Sequence, residues 1–185
     1  MEDVWQKVAA DFADMPDLAE AIRFSIRLIL AAALGGLLGY ERERAGKAAG
    51  LRTHMLVSLG AALFVLIPQQ AGMSNADISR IVQGVVAGVG FLGAGAIVKG
   101  TRGEDIHGLT TAAGIWLTAA IGIAAGLGRE SSAILGAVLA FLILSTLAWV
   151  SHRMKKVQPP EQLDVGGDIF GGDQRIRRKR PERKA

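Results

Sequence analysis

Cysteine is absent from the 185-residue chain, which excludes disulfides and thiolate metal sites. Aromatic residues make up only 5% of it, and Trp116 and Trp149 are too few to build a base-stacking platform or an aromatic cage. Signatures of catalysis are missing as well. The sequence holds no serine elbow, no Walker loop and no histidine pair at metal spacing, and His54, His107 and His152 stand scattered among polar flanks, where a solvated imidazole is the ordinary reading. Charge, finally, is scarce in the middle of the chain. Although 21% of all residues are charged, the runs 22–40, 51–67, 81–98, 109–127 and 133–150 carry charge only at Arg23, Arg27 and Arg52, close to where the first two begin.

What is present is apolar length. Each run has roughly 17 to 19 residues, and at roughly 1.5 Å per residue that approaches the roughly 30 Å of hydrocarbon a spanning helix crosses. A water-soluble helix of this length shows a polar face, whereas here the polar residues are confined to loops and tails. The expected fold class is an all-α membrane protein. Its domains are an acidic outer-surface segment over 1–20, a five-helix membrane domain over 21–152 and a basic disordered tail over 153–185. In the first segment Val4, Val8, Phe12 and Met15 recur at helical spacing, as in an amphipathic helix lying on the membrane. That stretch is acidic, without the basic start of a cleavable signal.

The positive charges set an orientation. Arg42, Arg44, Lys47 and Arg52 lie between the first two runs, Lys99 and Arg102 between the third and fourth, and Arg153, Lys155 and Lys156 after the fifth. By the positive-inside rule the N-terminus faces outward and the C-terminus the cytoplasm. Arg23 and Arg27 resist the rule and are read as snorkelling outward or facing other helices. The tail, with Pro159, Pro160 and the basic cluster from Arg175 to Arg180, fits attraction to the anionic inner leaflet. Tethered at the bilayer, it is not read as a nucleic-acid arm.

Two stretches repeat each other. Gly36-Leu37-Leu38-Gly39, a charged loop and Gly50-Leu51-Arg52-Thr53 are matched by Gly90-Phe91-Leu92-Gly93, a charged loop and Gly108-Leu109-Thr110-Thr111. Each copy reads as a helix end, a crossing and a helix start, giving two pseudo-repeated parallel helical hairpins plus a fifth helix. Pro68 is expected to end the second helix, and Asn75-Ala76-Asp77 to cap the third. The fifth, bulkier, is expected at the periphery.

Small residues four apart mark helix seams, where backbones approach closely without a hydrophobic drive. In the first helix Gly35 and Gly39 have this spacing; in the fourth Thr110, Gly114, Thr118 and Gly122 do, and with Gly108 and Thr111 these form the expected docking surface for a partner or ligand. Taking 100° per residue, Gly84, Gly88 and Gly95 fall within about 40° of Asp77 on the third helix. With Gly93 they read as packing glycines; the alternative is a break at Gly93-Ala94-Gly95 that opens carbonyls to a cavity. Asp77, Arg80 and Gln83 form an outer polar strip on the same helix.

A charged motif gathers at the cytoplasmic face: Glu41, Arg42, Glu43, Arg52, Thr53 and His54, with Glu104 and Asp105 from the second loop. Carboxylates of this kind can hold magnesium, but no ligand spacing specifies a metal, and an ion pair of Glu41 or Glu43 with Arg52 is the simpler reading. No cofactor is expected. The helix starts at Gly50 and Gly108 lie on one side of the membrane, where their N–H groups, with Arg52, Thr53, Thr110 and Thr111, can converge on an anion or simply be capped.

Runs 35–43 (Gly-Gly-Leu-Leu-Gly-Tyr-Glu-Arg-Glu), 50–60 (Gly-Leu-Arg-Thr-His-Met-Leu-Val-Ser-Leu-Gly), 88–95 (Gly-Val-Gly-Phe-Leu-Gly-Ala-Gly) and 108–116 (Gly-Leu-Thr-Thr-Ala-Ala-Gly-Ile-Trp), with Asp77, Arg80 and Ile81, resemble the MgtC/SapB family of bacterial inner-membrane proteins. The resemblance implies a non-enzymatic five-helix protein of the inner membrane tied to growth in low magnesium, acid adaptation and virulence. It also implies action on other membrane machinery, the F-type ATP synthase among it, and so on membrane potential. Where the best-known virulence member has Asn-Thr, this chain has Thr110-Thr111. Longer members carry a soluble C-terminal domain, and its regulation is not carried over to this basic tail. Two mechanisms follow: docking of the small-residue grooves on a partner or on another copy of the chain, or a small magnesium or proton transporter lined by the third helix.

Overall fold

In the computed structural model, residues 4–6, 17–99 and 106–155 are described. Five long helices follow one another: α1 (Leu18–Arg44), α2 (Leu51–Gln70), α3 (Asn75–Ala96), α4 (Leu109–Gly126) and α5 (Glu130–Lys155). Between α3 and α4 lie the two-residue strands β1 (Val98–Lys99) and β2 (Ile106–His107), antiparallel with Val98 opposite His107. This small ladder closes a crossing that the sequence shows only as a charged loop. The architecture is all-helical in every other described part.

The helix ends follow local chemistry. Asp17 caps α1 by accepting from the Ala19 N–H at 3.3 Å, while Glu20 in the first turn and Arg42 and Arg44 in the last complement the helix dipole. Ser74, one residue before the expected cap, starts α3 by accepting from the Asp77 N–H at 3.2 Å. Gly108 precedes α4 at φ +92°, a left-handed conformation that glycine adopts without strain. Pro68 does not stop α2, which runs on to Gln70. A proline loses its own N–H bond and crowds the carbonyl four residues before it, but the residues after it keep their N–H groups, and so near a terminus a final turn survives. Nor does α3 break at Gly93-Ala94-Gly95; it continues to Ala96.

Helices α1 to α4 are each long and apolar enough to cross a membrane, and α5 adds the shorter apolar stretch Glu130–Thr146. Helix α4 is the centre: half of its spanning window is buried, against 17% for α3. It lies among all the others, and α2 is pressed into small-residue notches on both α1 and α4. A Cβ added at Gly35 would come 2.6 Å from the His54 carbonyl oxygen, one at Gly39 2.7 Å from Leu51 Cα, and one at Gly126 2.7 Å from the Ala62 carbonyl oxygen. Gly122 meets the Ser58 backbone in the same way. Helix α5 turns Ala133, Ala137 and Ala140 inward onto Ala31, Ile121 and Ala125, and leaves Leu135, Leu139 and Ile143 outward. Ile29, Phe64, Phe91 and Trp116 add to that outer apolar coat, which suits hydrocarbon and not water.

The segment 1–20 and the tail fall almost wholly outside the described residues. Only 4–6, Asp17 and the first turn of α1 belong to the former, and α5 extends through 153–155 of the latter.

Candidate functional site

At the end of the bundle that carries the charged crossings, the motif is organised differently from the expected ion pair. Glu41 pairs with its neighbour Arg42, whose side chain is 3% exposed. Glu43 reaches across to α2, where its Oε2 accepts from the Leu51 N–H at 2.8 Å. That carboxylate supplies the negative charge the α2 N-terminus attracts, so this terminus is capped from within the chain. Arg52 and Thr53 are left exposed, with no bond to Glu41 or Glu43, because the phase of α2 points them away from α1. Across the bundle Thr110 is exposed and Thr111 buried.

His54 enters the core. It is fully buried, its Nδ1 lies 3.0 Å from the Gly50 carbonyl oxygen, and its Nε2 has no partner among the described residues. Since a carbonyl only accepts, Nδ1 carries the proton and Nε2 is left as an acceptor. Ser58, one turn further along, is also fully buried, and its hydroxyl is likewise without a partner. Thr118 is buried too but satisfied, donating to the Gly114 carbonyl oxygen at 2.8 Å. Gly114 faces His54: an added Cβ would sit 3.5 Å from Nε2. The groove expected to receive a partner is taken up at Thr118 and Gly122, where Thr118 is fully buried and α2 lies against Gly122, while Thr110 and Gly114 border open space.

The opposite end holds a polar clamp the sequence reading left out of its site. Arg27 bonds Gln69 Oε1 at 3.4 Å and the Gly126 carbonyl oxygen at 3.5 Å, and lies 3.4 Å from Glu130 Oε1. One guanidinium thus ties α1 to α2, to the carbonyl end of α4 and to α5. Arg23 and Arg27, with Glu20 and Gln70, border a cavity of about 240 Å³ there. The signal was available: two arginines in an apolar run need partners.

On α3, Asp77 and Arg80 stand 3.9 Å apart, with Arg80 81% exposed, a pair worth little. Gln83 is exposed as well. The glycines of α3 divide. Gly93 approaches Ala112 of α4, whereas a Cβ added at Gly84, Gly88 or Gly95 would meet nothing within 4 Å. Close packing inside the chain accounts for the first and not for the other three. Among the described residues no group of three His, Asp or Glu side chains could hold a metal ion; Glu104 and Asp105 lie outside them.

The model of the MgtC family matches residues 28–153. The YhiD protein of Escherichia coli K12, a candidate magnesium transporter by its name, is 45% identical over 139 residues, covering 71% of this chain and 63% of YhiD. Protein SrpB of Synechococcus elongatus is 41% identical over 150 residues, covering 72% of this chain and 82% of SrpB. Protein MgtC of Brucella abortus is 36% identical over 139 residues, covering 71% and 57%. The chain thus spans less than two thirds of YhiD and of that MgtC. No solved structure matches it.

Proposed function

The chain belongs to the MgtC family, and from that premise we propose that it acts without catalysis, docking through α3 onto transmembrane helices of other membrane machinery. It sits in the bacterial inner membrane with the charged crossings in the cytoplasm and the N-terminus outside, as the lysines and arginines of those crossings favour. Docking alters how the partner handles ions or protons and so adapts the cell to low magnesium, acid or intracellular stress. The F-type ATP synthase is the first partner to test, and a second copy of the chain the next.

One observation carries this reading. Gly84, Gly88 and Gly95 form a bare face on α3, the least buried of the four long apolar helices. Between membrane helices there is little hydrophobic drive, so van der Waals contact decides, and a bare glycine face is where another backbone approaches most closely. The test is crosslinking and copurification from native membranes with Gly84→Leu and Gly88→Leu. A Cβ at either glycine meets nothing within 4 Å among the described residues, so the protein folds while partner capture, ATP-synthase subunits included, falls away. Undiminished capture by both variants refutes the docking face.

The name of the E. coli relative favours a second reading, magnesium transport. Against it stands the lack, among the described residues, of any group of three His, Asp or Glu side chains to hold the ion on its way. Magnesium or proton flux into sealed vesicles of purified protein, above that of empty vesicles, would establish transport and displace docking.

A further inference from the structure

A cavity of about 160 Å³ lies where α1, α2, α4 and α5 meet, bordered by Leu38, Leu117 and Ala140, and on its α2 side by His54. Its wall is apolar but for that imidazole and the Thr110 hydroxyl. His54 is fully buried, and its Nε2 is unpartnered. We propose that this cavity binds the hydroxyl-bearing head of a small, otherwise apolar molecule dissolved in the bilayer.

Three features point to that chemistry. First, the Gly50 carbonyl, 3.0 Å from Nδ1, fixes the proton there, so Nε2 can only accept and the ligand must donate. A buried acceptor without a partner costs free energy that such a donor returns. Second, the volume is close to the roughly 150 Å³ of an engineered apolar cavity that takes benzene, so one ring or a few methylenes fit and a lipid headgroup does not. Third, Thr110, Ala113 and Ile143, on the wall formed by α4 and α5, are exposed on the outside of the bundle, so the approach is lateral, from lipid. Gly114 helps the fit: with no side chain, it places no atom beside Nε2, where a Cβ would stand 3.5 Å away, so a small shift of the imidazole ring opens it to the cavity.

The site is independent of the docking face on α3, and its test does not need a partner. Phenol serves as probe and benzene as its donor-free counterpart, with full-length protein in lipid nanodiscs and 15N-labelled histidine. Phenol should move the His54 Nε2 resonance saturably toward the hydrogen-bonded range, and should bind roughly fivefold or more tightly than benzene after correction for lipid partitioning, the worth of one net hydrogen bond. Ala113→Leu, at an exposed position where the fold is not at stake, should weaken phenol by roughly tenfold or more by filling the mouth. Equal affinity for the two probes, or a phenol shift undiminished in Ala113→Leu, would overturn the proposal. So would a Nε2 resonance already hydrogen-bonded and unmoved by phenol, which would assign the atom to an immobilised water.

Discussion

A single added methyl at Gly122 should separate packing glycines from free ones. A Cβ there would lie 2.9 Å from Ser58 Cα and from its carbonyl carbon, and nearer still to the carbonyl oxygen, all inside the 3.4 Å of ordinary contact. The obstacle is backbone in the middle of α2, so no rotamer change relieves it and the two helices must part. Overpacking of this kind costs about 1–3 kcal/mol. Alanine regains about 0.5–1 kcal/mol of helix propensity over glycine, so at the midpoints of the two ranges Gly122→Ala should lose about 1.25 kcal/mol net. Gly84→Ala meets no atom within 4 Å and keeps only the gain. The assay is reversible unfolding in mixed micelles titrated with denaturing detergent, both variants measured beside the parent. The expected result is opposite signs, with the Gly122→Ala folding constant lower by roughly tenfold, the factor that 1.4 kcal/mol represents. If Gly122→Ala matches the parent, or Gly84→Ala is weakened as much, the assignment of seam and free face is wrong.

Three further outcomes can be checked. Glu43→Ala removes the acceptor at the α2 N-terminus and should cost about 0.5–1 kcal/mol in the same unfolding assay, less in high salt, while Glu43→Gln retains much of it. Arg27→Met should loosen the far end of the bundle, seen as faster backbone hydrogen exchange around Gly126 and Glu130, whereas Arg80→Met should leave exchange unchanged because its ion pair is exposed. Because the chain has no cysteine, Lys47→Cys and Met73→Cys, both at exposed positions, give clean topology reporters: an impermeant maleimide applied to intact spheroplasts should label the second alone, and labelling of the first would reverse the proposed orientation.

The long apolar runs with polar crossings are legible because hydrocarbon tolerates little else, and the helices formed on them with shifts of a few residues. The two hairpins could be read from Gly50 and Gly108, each standing just before a helix. The choice among glycines could not. Helical spacing records that a groove exists, but Gly35, Gly39, Gly122 and Gly126 are filled by α2, while Gly84, Gly88 and Gly95, four and seven apart, face nothing among the described residues. Occupancy depends on which helix lies opposite, a fact of tertiary arrangement. His54 was misjudged for a local reason, since Arg52 and Thr53 beside it look like a solvated flank. The signal lay further along: His54, Ser58, Ala61, Ala62 and Val65 share one face of α2, and that face is the buried one. Glu43 was expected to pair with Arg52, and its reach to the Leu51 N–H instead depends on how sharply the crossing folds back.

The order of synthesis gives the α2–α4 seam a consequence of its own. The α1–α2 hairpin leaves the ribosome well before α4 exists, and although Gly35 of α1 already lies against the Ser58 side chain, the Ser58 backbone is covered only when Gly122 arrives. During that interval a hydroxyl and an imidazole face acyl chains or an insertase instead of their eventual neighbour. A nascent chain stalled ahead of α4 therefore leaves these polar side chains beside a backbone that the late helix covers by packing and not by hydrogen bonding, and maturation hinges on its arrival.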